Sequence, residues 1–251
     1  MDDSFTAIEE TLKEVCRRGP VYYFPNRGNW GDALIRHGTL KFLRDINVDY
    51  KEVTPRRRDW LLPIMNGGTV IYGGGGAWCK LWKQSPRYVK RIRRRFNVVV
   101  LPSTYEQTYS IPDTIFFCRD ICESRQNMPV ATFCHDMAYY IGNEFVAKGI
   151  GTGKGYFFRT DKESSKQIRI PRNNNDISPT GDHLSNVIPF FEEVNRFEVI
   201  YTDRLHVSIA GCLLNKEVHL YSGSYFKNRA VYMSSMKTYF DNVHFHESFA
   251  L

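Results

Sequence analysis

Short, wholly apolar runs, each closed by a glycine, a proline or a charge, constrain this chain more than any other feature. "VYYF" stops at Pro25, "TVIY" (69–72) runs into four glycines, "NVVVL" stops at Pro102, and "TIFFCRD" and "ATFCHD" end in charge. A half-solvated strand alternates apolar and polar residues, whereas a strand buried on both faces reads as one continuous apolar run. Between these runs lie stretches of helical period. Ile35, Thr39, Phe42, Leu43 and Ile46 fall on one helix face, and residues 5–18 and 85–95 read as helices too. Strands alternating with helices predict an α/β fold built on a parallel sheet covered on both faces.

The pattern then runs a second time. "GYFFRTD", "FEVIYTD" and "EVHLYSG" read as strands, with helices within 178–196 and 204–215. The glycine-rich "AKGIGTGKG" (147–155) between the two sets reads as a linker, dividing the chain into 1–147 and 148–251. A length of 251 residues suits one large domain or two small ones. The polar stretch 162–182 reads as a loop, and no internal repeat is visible.

The start, "MDDSFTAIEE", is acidic and lacks the basic and apolar regions of a signal peptide. No apolar run reaches the roughly 18 residues of a membrane helix. The six cysteines form no CxxC pair and lie mostly in apolar segments, which suits reduced, buried thiols of a cytoplasmic protein. The net charge of +7 asks for an anionic partner. Its dense runs, "PRRRDW" (55–60) and "KRIRRRF" (90–96), are either a solvated helix face or a patch for an acidic membrane or a lipid diphosphate. The second reading would place the protein peripherally at the inner membrane face. The runs are not interleaved with aromatics on strands, so no specific nucleic acid is expected.

In open α/β sheets, ligands bind beyond the carboxyl ends of the strands. Four stretches lie there. In "NRGNWGD" (26–32), Gly28 and Gly31 permit a tight turn and a close ligand, and Asp32 is either a helix cap or a general acid or base. The spacing fits neither a dinucleotide fingerprint nor a phosphate-binding P-loop. Gly73 to Gly76, with Gly74 and Gly75 at their centre, clear a bulky ligand or a neighbouring domain, or serve packing alone. Arg159 meets an anion or pairs with Asp161 or Asp203. "TDRLH" (202–206) delivers Arg204 and His206 to the first turn of a helix, where an anion site with a proton donor beside it is the favoured reading.

Taken in order, these stretches resemble the polysaccharide pyruvyl transferase family. The resemblance rests on Asn29-Trp30-Gly31-Asp32, on Gly73 to Gly76, on Arg119, Asp120 and Ser124, and on Asp136. "TDRLH" with "VSIAG", and then Ser224-Tyr225-Phe226-Lys227, complete it over roughly residues 22–230. It implies two Rossmann-like lobes facing a cleft, similar to GT-B glycosyltransferases, with the acceptor on the first lobe and the donor on the second. The implied reaction moves a pyruvyl group from phosphoenolpyruvate to two hydroxyls of a sugar, on a glycan or lipid-linked oligosaccharide, giving a pyruvate ketal. The resemblance assigns Arg159, Arg204 and His206 to the donor, and makes Lys227, Asn29, Gly31, Gly74 and Gly75 substrate contacts.

The chemistry suits these residue types. Phosphoenolpyruvate carries a carboxylate and a phosphate, so arginine clamps at a helix N-terminus are the expected grip. Protonation of its methylene carbon requires an acid, for which His206 suits, and the attacking hydroxyl requires a base, for which Asp32 suits. The reaction needs no cofactor and no metal, and no metal-ligand cluster is visible. A nucleotide-sugar glycosyltransferase on the same fold is the alternative, since it too would hold a diphosphate with a helix N-terminus and cationic side chains.

Overall fold

In the computed structural model, which describes residues 2–249 apart from 18, 56, 58–63, 66, 82–83, 146–148, 150 and 166–167, every pairing between strands is parallel. The first sheet contains β1 (Val21–Phe24), β2 (Lys51–Glu52), β3 (Thr69–Tyr72), β4 (Gly75–Trp78), β5 (Asn97–Tyr105), β6 (Thr114–Cys118) and β7 (Thr132–Phe133). Its order is β2-β1-β3-β5-β6-β7, and β4 also pairs with β5. The second contains β8 (Lys154–Phe157), β9 (Val199–Thr202), β10 (Glu217–Tyr221) and β11 (Val243–His246), in the order β11-β10-β9-β8. The chain is thus α/β with two parallel sheets.

Two compact units hold these sheets. One comprises Met1–Arg27 and Gly38–Tyr140, the other Gly28–His37 and Ile141–Leu251. The change of unit falls inside α2 (Trp30–Asp45), whose first turns are counted with the second sheet. Residues 147 and 148, where the sequence suggested a boundary, lie outside the described residues, as do Arg56 and Arg58 of the first basic run.

In the first unit the continuous apolar runs are buried throughout. Val70 and Ile71 of β3 and Val98, Val99 and Val100 of β5 are all at most 1% exposed, so both faces of these central strands are covered. Each such side chain contributes about 1.5–3 kcal/mol on burial. Trp78 anchors one side of this core, edge-on to Phe116 at 5.6 Å and to Tyr109 at 5.0 Å. The α1 helix (Asp2–Val15) buries Phe5, Ile8 and Leu12.

The second sheet differs from the expectation of two covered faces. Gly155, Phe157, Ile200, Val218 and Leu220 are buried, while the intervening Lys154, Tyr156, Tyr201, Glu217 and His219 are part-exposed or exposed. Register places Tyr156, Tyr201 and His219 side by side, and their rings stack at 5.2 and 4.6 Å. Phe249 lies over Phe158 and Tyr221 at one end of this face. β11 was not legible in the sequence, because its "VHFH" alternates apolar residues with histidine.

The second basic run begins in the last turn of the Gln84–Ile92 helix, which buries Ser85, Val89 and Ile92; Arg91 on the helix and Arg94 and Arg95 beyond it are exposed. Arg93 reaches Asp113 at 3.2 Å. Among the described residues no helix is long and apolar enough to cross a membrane.

Candidate active site

The ends of β8 and β9 build an ionic cluster within the second unit. Thr202 closes β9 by donating its hydroxyl to Phe157 O at 2.7 Å, and its Oγ1 accepts the Arg204 N–H at 2.9 Å. This turn leaves Arg204 extended (φ −87°, ψ 109°) as the N-cap of the Leu205–Leu213 helix. Its guanidinium, 5% exposed, forks onto Asp176, with Nε to Oδ1 at 2.9 Å and Nη2 to Oδ2 at 2.7 Å. Its Nη1 lies 2.8 Å from Asp161 Oδ2.

Arg159, directly after β8 and Phe158, is equally buried. Its backbone N–H donates to Asp203 Oδ1 at 2.7 Å, and its Nη1 donates to Glu163 Oε2 at 2.6 Å. Its Nε lies 2.9 Å from Asp161 Oδ1 in an ion-pair contact, and Nη2 reaches Oδ2 at 3.2 Å. Lys227 Nζ donates to the same Glu163 oxygen at 2.7 Å. The structure therefore brings together Arg159, Arg204 and Lys227, three of the expected substrate contacts, and sets three carboxylates against them. An Arg159–Asp161 pair was one of the two readings the sequence allowed.

Glu163 and Asp176 were missed, and Asp161 was foreseen as a partner of Arg159 but not of Arg204. Asp176 sits in "RNNND", inside the stretch read as a loop. There Asn174 exchanges two hydrogen bonds with the backbone of Phe158, and the Asn175 N–H donates to Tyr156 O. Those bonds lay the stretch alongside β8 and bring Asp176 to Arg204. An aspartate after three asparagines was the only available signal.

The "NWGD" turn lies in the same unit as His206. Asn29 Oδ1 accepts the Gly31 N–H at 2.9 Å, and Asp32 Oδ2 accepts the Asn29 N–H at 2.9 Å. These reciprocal bonds form a capping box on α2, so the cap reading of Asp32 is realised. Asn29 bridges Asp182, Trp30 Nε1 donates to Asn186 O at 2.9 Å, and the Trp30 ring meets Phe190 at 5.5 Å. A Cβ on Gly31 would stand 2.5 Å from His206 Nδ1. Glycine at 31 thus lets the imidazole lie against the first turn of α2, one residue from Asp32.

The glycine run after β3 serves the first unit. A Cβ on Gly73 would stand 2.6 Å from Asn26 N, and one on Gly74 would stand 2.4 Å from Pro102 O. Gly75 adopts φ +99° and pairs with Ser103. Asn26 Nδ2 donates to the carbonyls of Gly73 and Gly74. Neighbouring backbone lies against Gly73 and Gly74, as the packing reading of the run expects.

Arg119, Asp120, Ser124 and Asp136 also knit the first sheet together. Arg119 donates to Thr104 at 2.8 Å and Asp136 at 2.7 Å, Asp120 accepts the Ser124 N–H at 2.8 Å, and Ser124 Oγ accepts the Tyr105 N–H at 3.0 Å.

Beyond β8 and β10 a cavity of about 590 Å³ is lined by Lys162, Ser222, Ser224, Tyr225 and Arg229 among others. Asn228, fully buried beside Arg229 in the chain, donates to the carbonyls of Asp203 and Tyr221. Burial pushes the Asp203 carboxyl up to about 6, despite the Arg159 N–H and the two guanidiniums. Burial also pushes Glu163 upward, but Lys227 and Arg159 outweigh it and hold the carboxyl well below its ordinary range.

The cluster gathers three cationic side chains, and His206 follows Arg204 by two residues, on the first turn of the next helix. The fold is similar to that of a functionally uncharacterized protein from Klebsiella pneumoniae subsp. pneumoniae NTUH-K2044, known from its crystal structure. The TM-score is 0.82 at 25% identity, over 99% of this chain and 100% of that one. No curated protein matches the sequence. The model of the polysaccharide pyruvyl transferase family matches residues 29–225, from the capping asparagine of α2 to the tyrosine of the Ser-Tyr-x-Lys segment. With most of its length matched, the chain belongs to the polysaccharide pyruvyl transferase family.

Proposed function

We propose that this chain transfers a pyruvyl group from phosphoenolpyruvate to two hydroxyls of one sugar, on a polysaccharide or its lipid-linked precursor, forming a pyruvate ketal. Family membership supports pyruvyl transfer on polysaccharides. The observation that carries the donor assignment is the pair of 5%-exposed arginines that share one half-exposed carboxylate. A donor with a carboxylate and a phosphate is the ligand such forks suit. Lys227 and the neighbouring polar cavity extend the grip.

In this reading His206, on the first turn of its helix, donates a proton to the methylene carbon of phosphoenolpyruvate. C2 gains oxocarbenium character, and a sugar hydroxyl attacks it while Asp32, anchored by the Asn29 N–H, takes the hydroxyl proton. The C2–O bond to phosphate breaks, and the second hydroxyl closes the ketal, so the products are the ketal and inorganic phosphate. Arg159 and Arg204 hold the carboxylate and offset the charge of the departing phosphate. The exposed Arg91, Arg94 and Arg95 support contact with the anionic surface that carries a lipid-linked acceptor.

Thermal melting with candidate donors tests the assignment. Phosphoenolpyruvate should raise the melting temperature and UDP-sugars should leave it unchanged. Stabilisation by UDP-sugars alone would put a nucleotide-sugar glycosyltransferase in its place.

A further inference from the structure

Arg159 and Arg204 each own a buried carboxylate. Asp176, its side chain 7% exposed, takes Nε and Nη2 of Arg204, and Glu163, 9% exposed, takes Nη1 of Arg159. The remainder of both forks converges on Asp161. Nη1 of Arg204 lies 2.8 Å from Oδ2, Nε of Arg159 lies 2.9 Å from Oδ1, and Nη2 of Arg159 lies 3.2 Å from Oδ2. The two arginines are 5% exposed, whereas the Asp161 side chain is 45% exposed. The guanidiniums are therefore fixed by permanent partners, and their spare donors close on a carboxylate that water reaches. A structural ion pair in a protein interior shields both members, because an unpaired charge there is strongly unfavourable.

We propose that Asp161 is an internal stand-in for the donor's carboxylate: it occupies the two-arginine subsite in the empty protein, and the incoming carboxylate displaces it. This rests on the donor assignment above and deepens it, making Asp161 the residue that sets donor affinity. The exchange is chemically balanced. One carboxylate leaves two guanidiniums and another takes its place, while the released aspartate, already half in water, completes its hydration. Asp176 and Glu163 hold the forks in place throughout, so the subsite does not collapse when Asp161 leaves. An internal competitor lowers apparent affinity by the fraction of time it fills the site. The stand-in thus favours ligands that offer more than a carboxylate, such as one that also carries a phosphate for Lys227 and the adjoining cavity.

Asp161→Asn is the test. Asparagine keeps the Oδ1 that accepts the Glu163 N–H at 3.0 Å, so the local turn is preserved while the charge is lost. Calorimetric titration should show phosphoenolpyruvate binding the variant more tightly than the parent, on the order of tenfold. Acetate, a bare carboxylate, should raise the melting temperature of the variant and not of the parent, at matched ionic strength. Equal or weaker phosphoenolpyruvate binding by the variant, with no stabilisation by acetate, would make Asp161 an ordinary structural carboxylate and overturn the proposal. If acetate stabilises only the variant while phosphoenolpyruvate binds neither protein, the stand-in survives and the donor assignment fails. A parallel Asp176→Asn variant should bind phosphoenolpyruvate more weakly than the parent, since Asp176 holds Arg204 in place. Tighter binding there as well would mean that removing any neighbouring negative charge suffices, and would also overturn the proposal.

Discussion

Each of the two sheets ends in a buried arginine, or a pair of them, held by aspartate, and the two clusters differ in how their carboxylates meet water. In the first unit Arg119 and Asp136 are 1% and 0% exposed, and Thr104 and the Ala138 N–H take further bonding positions. In the second, arginines almost as deeply buried share Asp161, a carboxylate 45% exposed. The residue types match, and both clusters sit where a parallel sheet offers its binding edge. Only the second leaves a route from water to the guanidiniums. A buried arginine is thus weak grounds for a binding site until the exposure of its partner is known. By that criterion the Arg119 cluster reads as scaffold, and the Arg159–Arg204 cluster is the one proposed as the donor site.

The largest expected difference lies in stability. Arg119→Ala strands Asp136 in a fully buried position and should cost about 3–5 kcal/mol in urea unfolding. Asp161→Asn should cost clearly less, since its carboxylate is 45% exposed and Glu163 and Asp176 still pair the two arginines. Similar losses in the two variants would erase the distinction between scaffold and site.

Asp203 sharpens the comparison through pH. Its carboxyl is pushed up from 3.8 to about 6 by burial, so the folded protein holds this proton more tightly than the unfolded chain does. The resulting stabilisation is full below about pH 4 and is lost as pH rises through about 6. Asp203→Asn should remove that slope, and at pH 7.5 it should be more stable than the parent by up to about 3 kcal/mol, the linkage value of a two-unit shift. Stability curves of parent and variant that stay parallel between pH 4 and 7.5 would show that Asp203 titrates as an ordinary carboxylate.

A smaller effect is expected on ligand binding. Arg204→Lys keeps a cation beside Asp176 but loses the fork, and should weaken phosphoenolpyruvate binding by about 1.5–3 kcal/mol, the range for hydrogen bonds to charged groups. Unchanged affinity in a folded variant would remove Arg204 from the donor site.

Much of the first sheet was legible because its strands are buried on both faces and announce themselves as "VYYF", "TVIY" and "NVVVL". β11 was not, because one side of the second sheet is only part-buried and its strand mixes valine and phenylalanine with histidine. β4 was hidden by the glycines of its first two positions, which read as a turn. Arg204 and His206 were placed correctly at the start of a helix, since a strand followed by a helical period fixes that junction. Their carboxylate partners were not placed. Asp176 comes from a stretch without apolar period and meets Arg204 only through the fold, and a single sequence carries no record of such a meeting. The turn at Asn29 to Asp32 was legible as a helix start, whereas its place beside His206 depends on Gly31 having no side chain.

The most direct test of the account is mass spectrometry of candidate glycans incubated with the protein and phosphoenolpyruvate. The account predicts a product heavier than the acceptor by pyruvate less one water, released together with inorganic phosphate. His206→Gln should form it on the order of 10²–10⁴-fold more slowly, as expected for loss of a general acid. A sugar-sized mass gain from a nucleotide-sugar donor, with none from phosphoenolpyruvate across the same acceptors, would contradict it.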